Sequence, residues 1–180
     1  MPALRRLLAV VPGPDERPAA LLLAGRLARA SGADLTLVDA LPARSPGGRT
    51  RLERASQARL QRLAEASGAQ RVARLLLPDD DPARLVRVVG AGRPDLVLKT
   101  AYAEGPLAFG TLGFALLRDC RRPVLVLQPR PAPPGRLLAA LDPGERVAER
   151  ALARRVAPPL GPTAERLASA ARCSLLLVGP

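Results

Sequence analysis

Five short, predominantly apolar runs, at residues 7–11, 35–38, 72–77, 96–98 and 124–127, are separated by longer stretches with helical periodicity. Runs that stay apolar instead of alternating belong to strands buried on both faces, which occur where helices cover both sides of a parallel sheet. Residues 19–30 read as the first helix, with Leu22, Leu23, Leu27 and Ala30 along one stripe and Ser31-Gly32 as its end. Residues 51–66 read as the second, where Leu52, Ser56, Leu60, Leu63 and Ser67 share a face. Asp81 is placed to cap a third helix, and Pro82 suits its first position. Residues 111–118 make a fourth. The first 128 residues therefore read as five strands alternating with four helices.

After this unit the composition breaks. Residues 128–135 hold four prolines in eight positions, and 129–135 read as a stiff linker. Beyond it, Arg136-Leu137-Leu138-Ala139-Ala140-Leu141-Asp142-Pro143-Gly144 parallels Arg6-Leu7-Leu8-Ala9-Val10-Val11-Pro12-Gly13. Leu175-Leu176-Leu177-Val178 likewise parallels Leu35-Thr36-Leu37-Val38. This is an internal repeat. Residues 1–128 form one complete domain, and 136–180 form a partial second copy, β-α-β only.

Charge and residue usage narrow the chemistry. The chain has no histidine and two cysteines, Cys120 and Cys173. Catalysis by Ser-His-Asp or Cys-His and imidazole metal ligation are thereby excluded. Two thiols are too few for a disulfide framework, and they read as buried small hydrophobes in a reduced compartment. The net charge is +12, and the single lysine, Lys99, stands among arginines. Residues 49–74 are the most basic stretch, with seven arginines against two glutamates. A basic face can hold nucleic acid, but with aromatic content of 2% there is no row of stacking platforms. The stretch reads as a solvated arginine face with no specific nucleic-acid partner. No run approaches the ~20 apolar residues that span a bilayer, so a soluble chain with no membrane partner is expected, and the cysteine usage points to the cytoplasm.

The order and spacing of these pieces resemble the universal stress protein family. The resemblance rests on Leu7-Leu8-Ala9-Val10-Val11, Gly32-Ala33-Asp34-Leu35-Thr36-Leu37-Val38, Pro94-Asp95-Leu96-Val97-Leu98 and Pro123-Val124-Leu125-Val126-Leu127. Lys99, Phe109, Leu116-Leu117-Arg118 and Cys120 are similar to the tandem-domain E type, here with its second domain cut short. The resemblance implies a flavodoxin-like, adenine-nucleotide-alpha-hydrolase-like open parallel five-stranded sheet in the order 3-2-1-4-5. It also implies a non-enzymatic stress-response protein that acts by binding and assembly.

Family members that bind ATP use a Gly-x2-Gly-x9-Gly-[Ser/Thr] loop after the fourth strand, where backbone amides and a helix N-terminus receive phosphates. Only the last pair survives here, as Gly110-Thr111; Thr100 and Ala103 replace the upstream glycines. Pro12 replaces the acid that ends the first strand, and the second copy keeps an acid there, Asp142. Nucleotide binding is accordingly expected to be weak or lost, with ATP as the candidate cofactor and no metal. The candidate cofactor-binding residues are Pro12, Gly13, Asp39, Lys99, Thr100, Gly110 and Thr111. A Lys99–Asp39 pair across the crevice would either position a ligand or satisfy itself. No catalytic residue is assigned. The alternatives are an ATP-binding switch with slow hydrolysis, using Gly110, Thr111 and Lys99, and a truncated product without activity. The resemblance further implies pairing through the fifth strand, so a homodimer through Val124–Leu127 is expected, that edge being left open.

Overall fold

A computed structural model describes residues 4–14, 18–42, 48–101, 110–120, 122–127, 137–141 and 174–178. The strands are β1 (Arg6–Val10), β2 (Asp34–Ala40), β3 (Val72–Leu77), β4 (Leu96–Thr100), β5 (Val124–Leu127), β6 (Leu137–Leu141) and β7 (Ser174–Val178). The helices are α1 (Ala19–Ser31), α2 (Arg49–Ser67), α3 (Pro82–Gly92) and α4 (Gly110–Asp119). The first five strands are parallel, as the apolar runs imply, and run in the order β3-β2-β1-β4-β5, as the family resemblance implies. Strand alternation sorts β1 cleanly. Leu8 and Val10 join a core with Leu85 and Val89 of α3 and Leu112 and Leu116 of α4. Leu7, Ala9 and Val11 join the opposite core with Ala20, Leu21, Ala24 and Ala28 of α1 and Leu60 and Leu63 of α2.

The helix ends follow their sequence signals. Gly32 and Gly68, with φ of 70° and 63°, close α1 and α2 in the left-handed region that glycine enters without a Cβ clash. The Asp81 carboxylate accepts the Ala83 N–H at 3.0 Å and Pro82 opens α3. At the start of β4, Asp95 Oδ2 accepts the backbone N–H groups of Arg5 and Arg6 at 2.7 and 2.9 Å. Those two bonds hold its carboxyl below the usual carboxylate range and fix β4 against β1.

The buried stripe of α1 differs from the leucine stripe expected above. It is Ala20, Leu21, Ala24, Gly25 and Ala28, while Leu22, Leu23 and Leu27 are only half-buried and Ala30 is exposed. The cause is close approach. Gly25 lies against the last turn of α2, where a Cβ would fall 3.1 Å from the Ser67 carbonyl carbon, 3.2 Å from its Cα and closer still to its oxygen. That oxygen also accepts a hydrogen bond from Arg29 Nη1. Small residues win the inner face because backbone atoms, not a yielding side chain, stand opposite. Gly25→Ala is expected to lower stability by about 3 kcal/mol, at the upper end of overpacking costs. A urea unfolding curve reads this directly.

A second expectation is overturned at the sheet edge. β5 is not open: β4 pairs with one side of it and β7 with the other, antiparallel, with Val124 opposite Leu177 and Val126 opposite Leu175. β6 then adds to β7 in parallel, and the sheet grows to β3-β2-β1-β4-β5-β7-β6. A homodimer through Val124–Leu127 has no free ladder to use. The physical reason lies later in the chain. The apolar strand Ser174–Val178 reaches this edge, and pairing within the chain satisfies the exposed N–H and C=O groups of β5 without a second molecule. The connection between β6 and β7 lies outside the described residues, as do the linker and Cys173.

Candidate functional site

In parallel α/β sheets, ligands sit beyond the carboxyl ends of the strands, at the point where strand order reverses. Here that point lies between β1 and β4. Pro12 and Gly13 follow β1, and Asp39 nearly ends β2. Lys99 and Thr100 end β4, while Gly110 and Thr111 open α4. Gly13 has a φ of 89°, so the chain turns away from β1 in a conformation that side chains rarely adopt. The sequence thus places its candidate residues on one rim. The side chains, however, do not converge.

The register explains why. Val10 lies level with Val38 on one side and Lys99 on the other. Residues at one level share a face, so Lys99 lies on the α3–α4 side with Val10, Val38 and Val126. Asp39 is one residue further along and therefore lies on the α1–α2 side. The Lys99–Asp39 pair expected above is excluded, since the sheet stands between them.

Asp39 is instead paired with Arg59 of α2, Nη1 to Oδ2 at 3.3 Å, with both side chains buried. The same Nη1 donates to the carbonyl of Val11 at 2.8 Å, tying α2 to the end of β1. Oδ1 of Asp39 accepts the Ala40 N–H at 2.8 Å. Burial pushes the Asp39 carboxyl above the usual range, and the Ala40 N–H and the guanidinium only partly oppose it. Arg59 is the residue that reading the sequence for apolar letters missed. Its helical phase falls within the Leu52, Ser56, Leu60, Leu63 face, and that phase is the signal that marks it.

Lys99 is wholly buried, and its ammonium donates to the Thr100 carbonyl at 3.1 Å. Burial lowers its pKa from 10.5 to about 8. Thr100 faces the other way. Its Oγ1 accepts the Ala20 N–H at 2.9 Å and so serves the N-terminus of α1, whose own cap residue, Pro18, has no side-chain donor or acceptor to offer. Thr111 is exposed on the first turn of α4. Cys120 is buried and free, and burial pushes its thiol up, away from reactivity. Among the described residues there is no group of three or more potential metal ligands and no helix long and apolar enough to cross a membrane.

Comparison with solved structures fits this geometry. A universal stress protein in complex with cAMP aligns over 71% of this chain and 99% of its own, at 21% identity and a TM-score of 0.55. The chain has the universal stress protein fold. The Archaeoglobus fulgidus universal stress protein in complex with dAMP aligns over 70% of this chain and 98% of its own, at 18% identity and a TM-score of 0.52. A functionally unknown protein from Pseudomonas aeruginosa PAO1 aligns over 99% of this chain and 93% of its own, at 16% identity and a TM-score of 0.64. That last match spans the β7–β6 extension as well as the five-stranded unit. No protein-family profile and no curated protein matches the chain.

Proposed function

We propose that this chain is a non-enzymatic stress-response protein of the universal stress protein kind, working by binding and assembly, with nucleotide affinity weak or absent. One observation carries the reading: the polar side chains of the crevice strands are already engaged inside the protein. Asp39 is held by Arg59 and Ala40, Thr100 by the first turn of α1, and Lys99 lies buried against its neighbour's carbonyl. A nucleotide entering the crevice would have to displace these contacts and bear their desolvation. The two upstream glycines of the phosphate loop are also replaced, so the backbone cannot approach a triphosphate as closely. The chain is taken to be cytoplasmic on its cysteine usage and to carry a complete domain at residues 1–128 with a partial copy at 136–180.

A second reading has its own support. The related fold binds cAMP in one solved structure and dAMP in another, and Gly110-Thr111 still opens α4 beside the rim. An ATP-binding switch would use that helix start. Thermal unfolding with and without millimolar ATP and Mg²⁺ separates the two. The first reading predicts a midpoint that moves by less than about one degree. Ligand at a hundred times its Kd stabilises a protein by about 2.7 kcal/mol, so a rise of several degrees would establish the switch instead.

A further inference from the structure

We infer that the outer face of α1 and α2 is a docking surface for the phosphate backbone of duplex nucleic acid, held without regard to base sequence. Both helices pack on one core, side by side, and Arg29 of α1 donates to the Ser67 carbonyl at the end of α2. Their outward positions are basic. Arg26 and Arg29 of α1 and Arg51, Arg54 and Arg62 of α2 are all exposed. Arg74 joins them at the margin. It lies between Val72 and Leu76, which pack on the same core, so strand alternation puts it on this face of β3. Among the described residues the exposed carboxylates of the face are Glu53 and Glu65, and Glu65 already accepts from the Gln61 amide at 2.5 Å.

What sets this face apart is where the counter-charges sit. Elsewhere on the surface Arg71 meets Asp34, Arg84 meets Asp79 at 3.0 Å and Arg87 meets Asp81 at 3.9 Å. Arg26, Arg51, Arg54 and Arg74 meet no carboxylate among the described residues. The fold thus leaves one side with arginine charge that no carboxylate offsets, which a net charge of +12 does not by itself require. Arg51 and Arg62 stand about 16 Å apart along α2, at about 1.5 Å per residue. A duplex carries one charge per about 1.7 Å of its axis and so offers phosphates to several of these arginines at once. Chemistry selects among polyanions. A single strand is held by bases stacked on aromatic rings, and α1, α2 and β3 contain none. An anionic membrane takes large apolar side chains between the basic ones, whereas the exposed neighbours on α2 are Ala55, Gln57, Ala58 and Gln61. A duplex asks for neither. This inference goes beyond the proposed function and rests on no part of it, since the face is not the crevice at the carboxyl ends of the strands.

Fluorescence anisotropy of the full chain with a labelled DNA duplex of about 20 base pairs tests it, between about 50 and 200 mM salt. Six phosphate contacts make the affinity fall about a thousandfold across that range. A triple variant, Arg26→Gln with Arg51→Gln and Arg54→Gln, is expected to flatten the slope of log K against log salt by about 2.7, at about 0.9 per phosphate. A second triple variant, Arg84→Gln with Arg87→Gln and Arg93→Gln, removes the same charge from α3 and its end and is expected to leave the slope unchanged. Far-UV circular dichroism confirms that both variants are folded. No binding at about 50 mM salt overturns the inference, as do equal losses in the two variants. Tighter binding to a single strand of the same length, or to vesicles of phosphatidylglycerol, overturns it as well.

Discussion

Replacing Lys99 with methionine is expected to raise stability by about 2 kcal/mol at pH 7, the reverse of what loss of an only lysine at a binding rim suggests. The lysine is fully buried, and burial lowers its pKa from 10.5 to about 8. That displacement corresponds to about 3 kcal/mol against the charged form, and the lost hydrogen bond to the Thr100 carbonyl returns about 1 kcal/mol. The dependence on pH has a definite sign. Between pH 8 and 10.5 the unfolded chain holds the proton and the folded chain has released it, so stability rises with pH across this window. Below pH 8 the cost of the buried ammonium is present in full. The difference between Lys99→Met and the parent, read from urea midpoints, therefore shrinks as pH rises from 8 to 10.5. A variant that is less stable than the parent at pH 7, with a gap indifferent to pH, contradicts the assignment.

Arg59→Leu acts in the opposite direction and is expected to cost about 3–5 kcal/mol, as when one partner of a buried ion pair is removed. It leaves Asp39 buried without its guanidinium and the Val11 carbonyl without its donor. The Asp39 carboxyl is already raised by burial, and losing Arg59 raises it further. The folded variant then holds a proton that the unfolded chain has lost, so its deficit narrows as pH falls toward the carboxylate range. Combining Arg59→Leu with Asp39→Leu removes the unpaired charge and is expected to recover most of the loss. A double variant as unstable as the single one would mean that the guanidinium acts through Val11 alone.

These two residues also show what a sequence discloses and what it withholds. The five apolar runs, the glycine ends of α1 and α2 and the Asp81-Pro82 start of α3 are local signals, and each appears where its chemistry puts it. Lys99 and Asp39 are both visible as charges at strand ends. Whether they meet depends on register between strands 60 residues apart, and one position decides which side of the sheet each occupies. Thr100 as the cap of α1 is a contact across 80 residues, invisible in either segment. Gly25 is the inner residue of its helix because of a carbonyl on another helix, which no reading of α1 alone supplies. The apolar runs of β6 and β7 are legible as strands, but the antiparallel docking of β7 on β5 is a choice among edges that only the assembled sheet makes.

With a single lysine in the chain, selective isotope labelling of lysine gives one side-chain signal, which makes Lys99 its own reporter. Nuclear magnetic resonance titration of that signal, with and without millimolar ATP, tests most directly whether the crevice is committed to the fold. One resonance is expected, titrating near pH 8 and unmoved when nucleotide is added. A resonance titrating above pH 10, or one whose titration shifts upward with ATP as a phosphate approaches the ammonium, would contradict it.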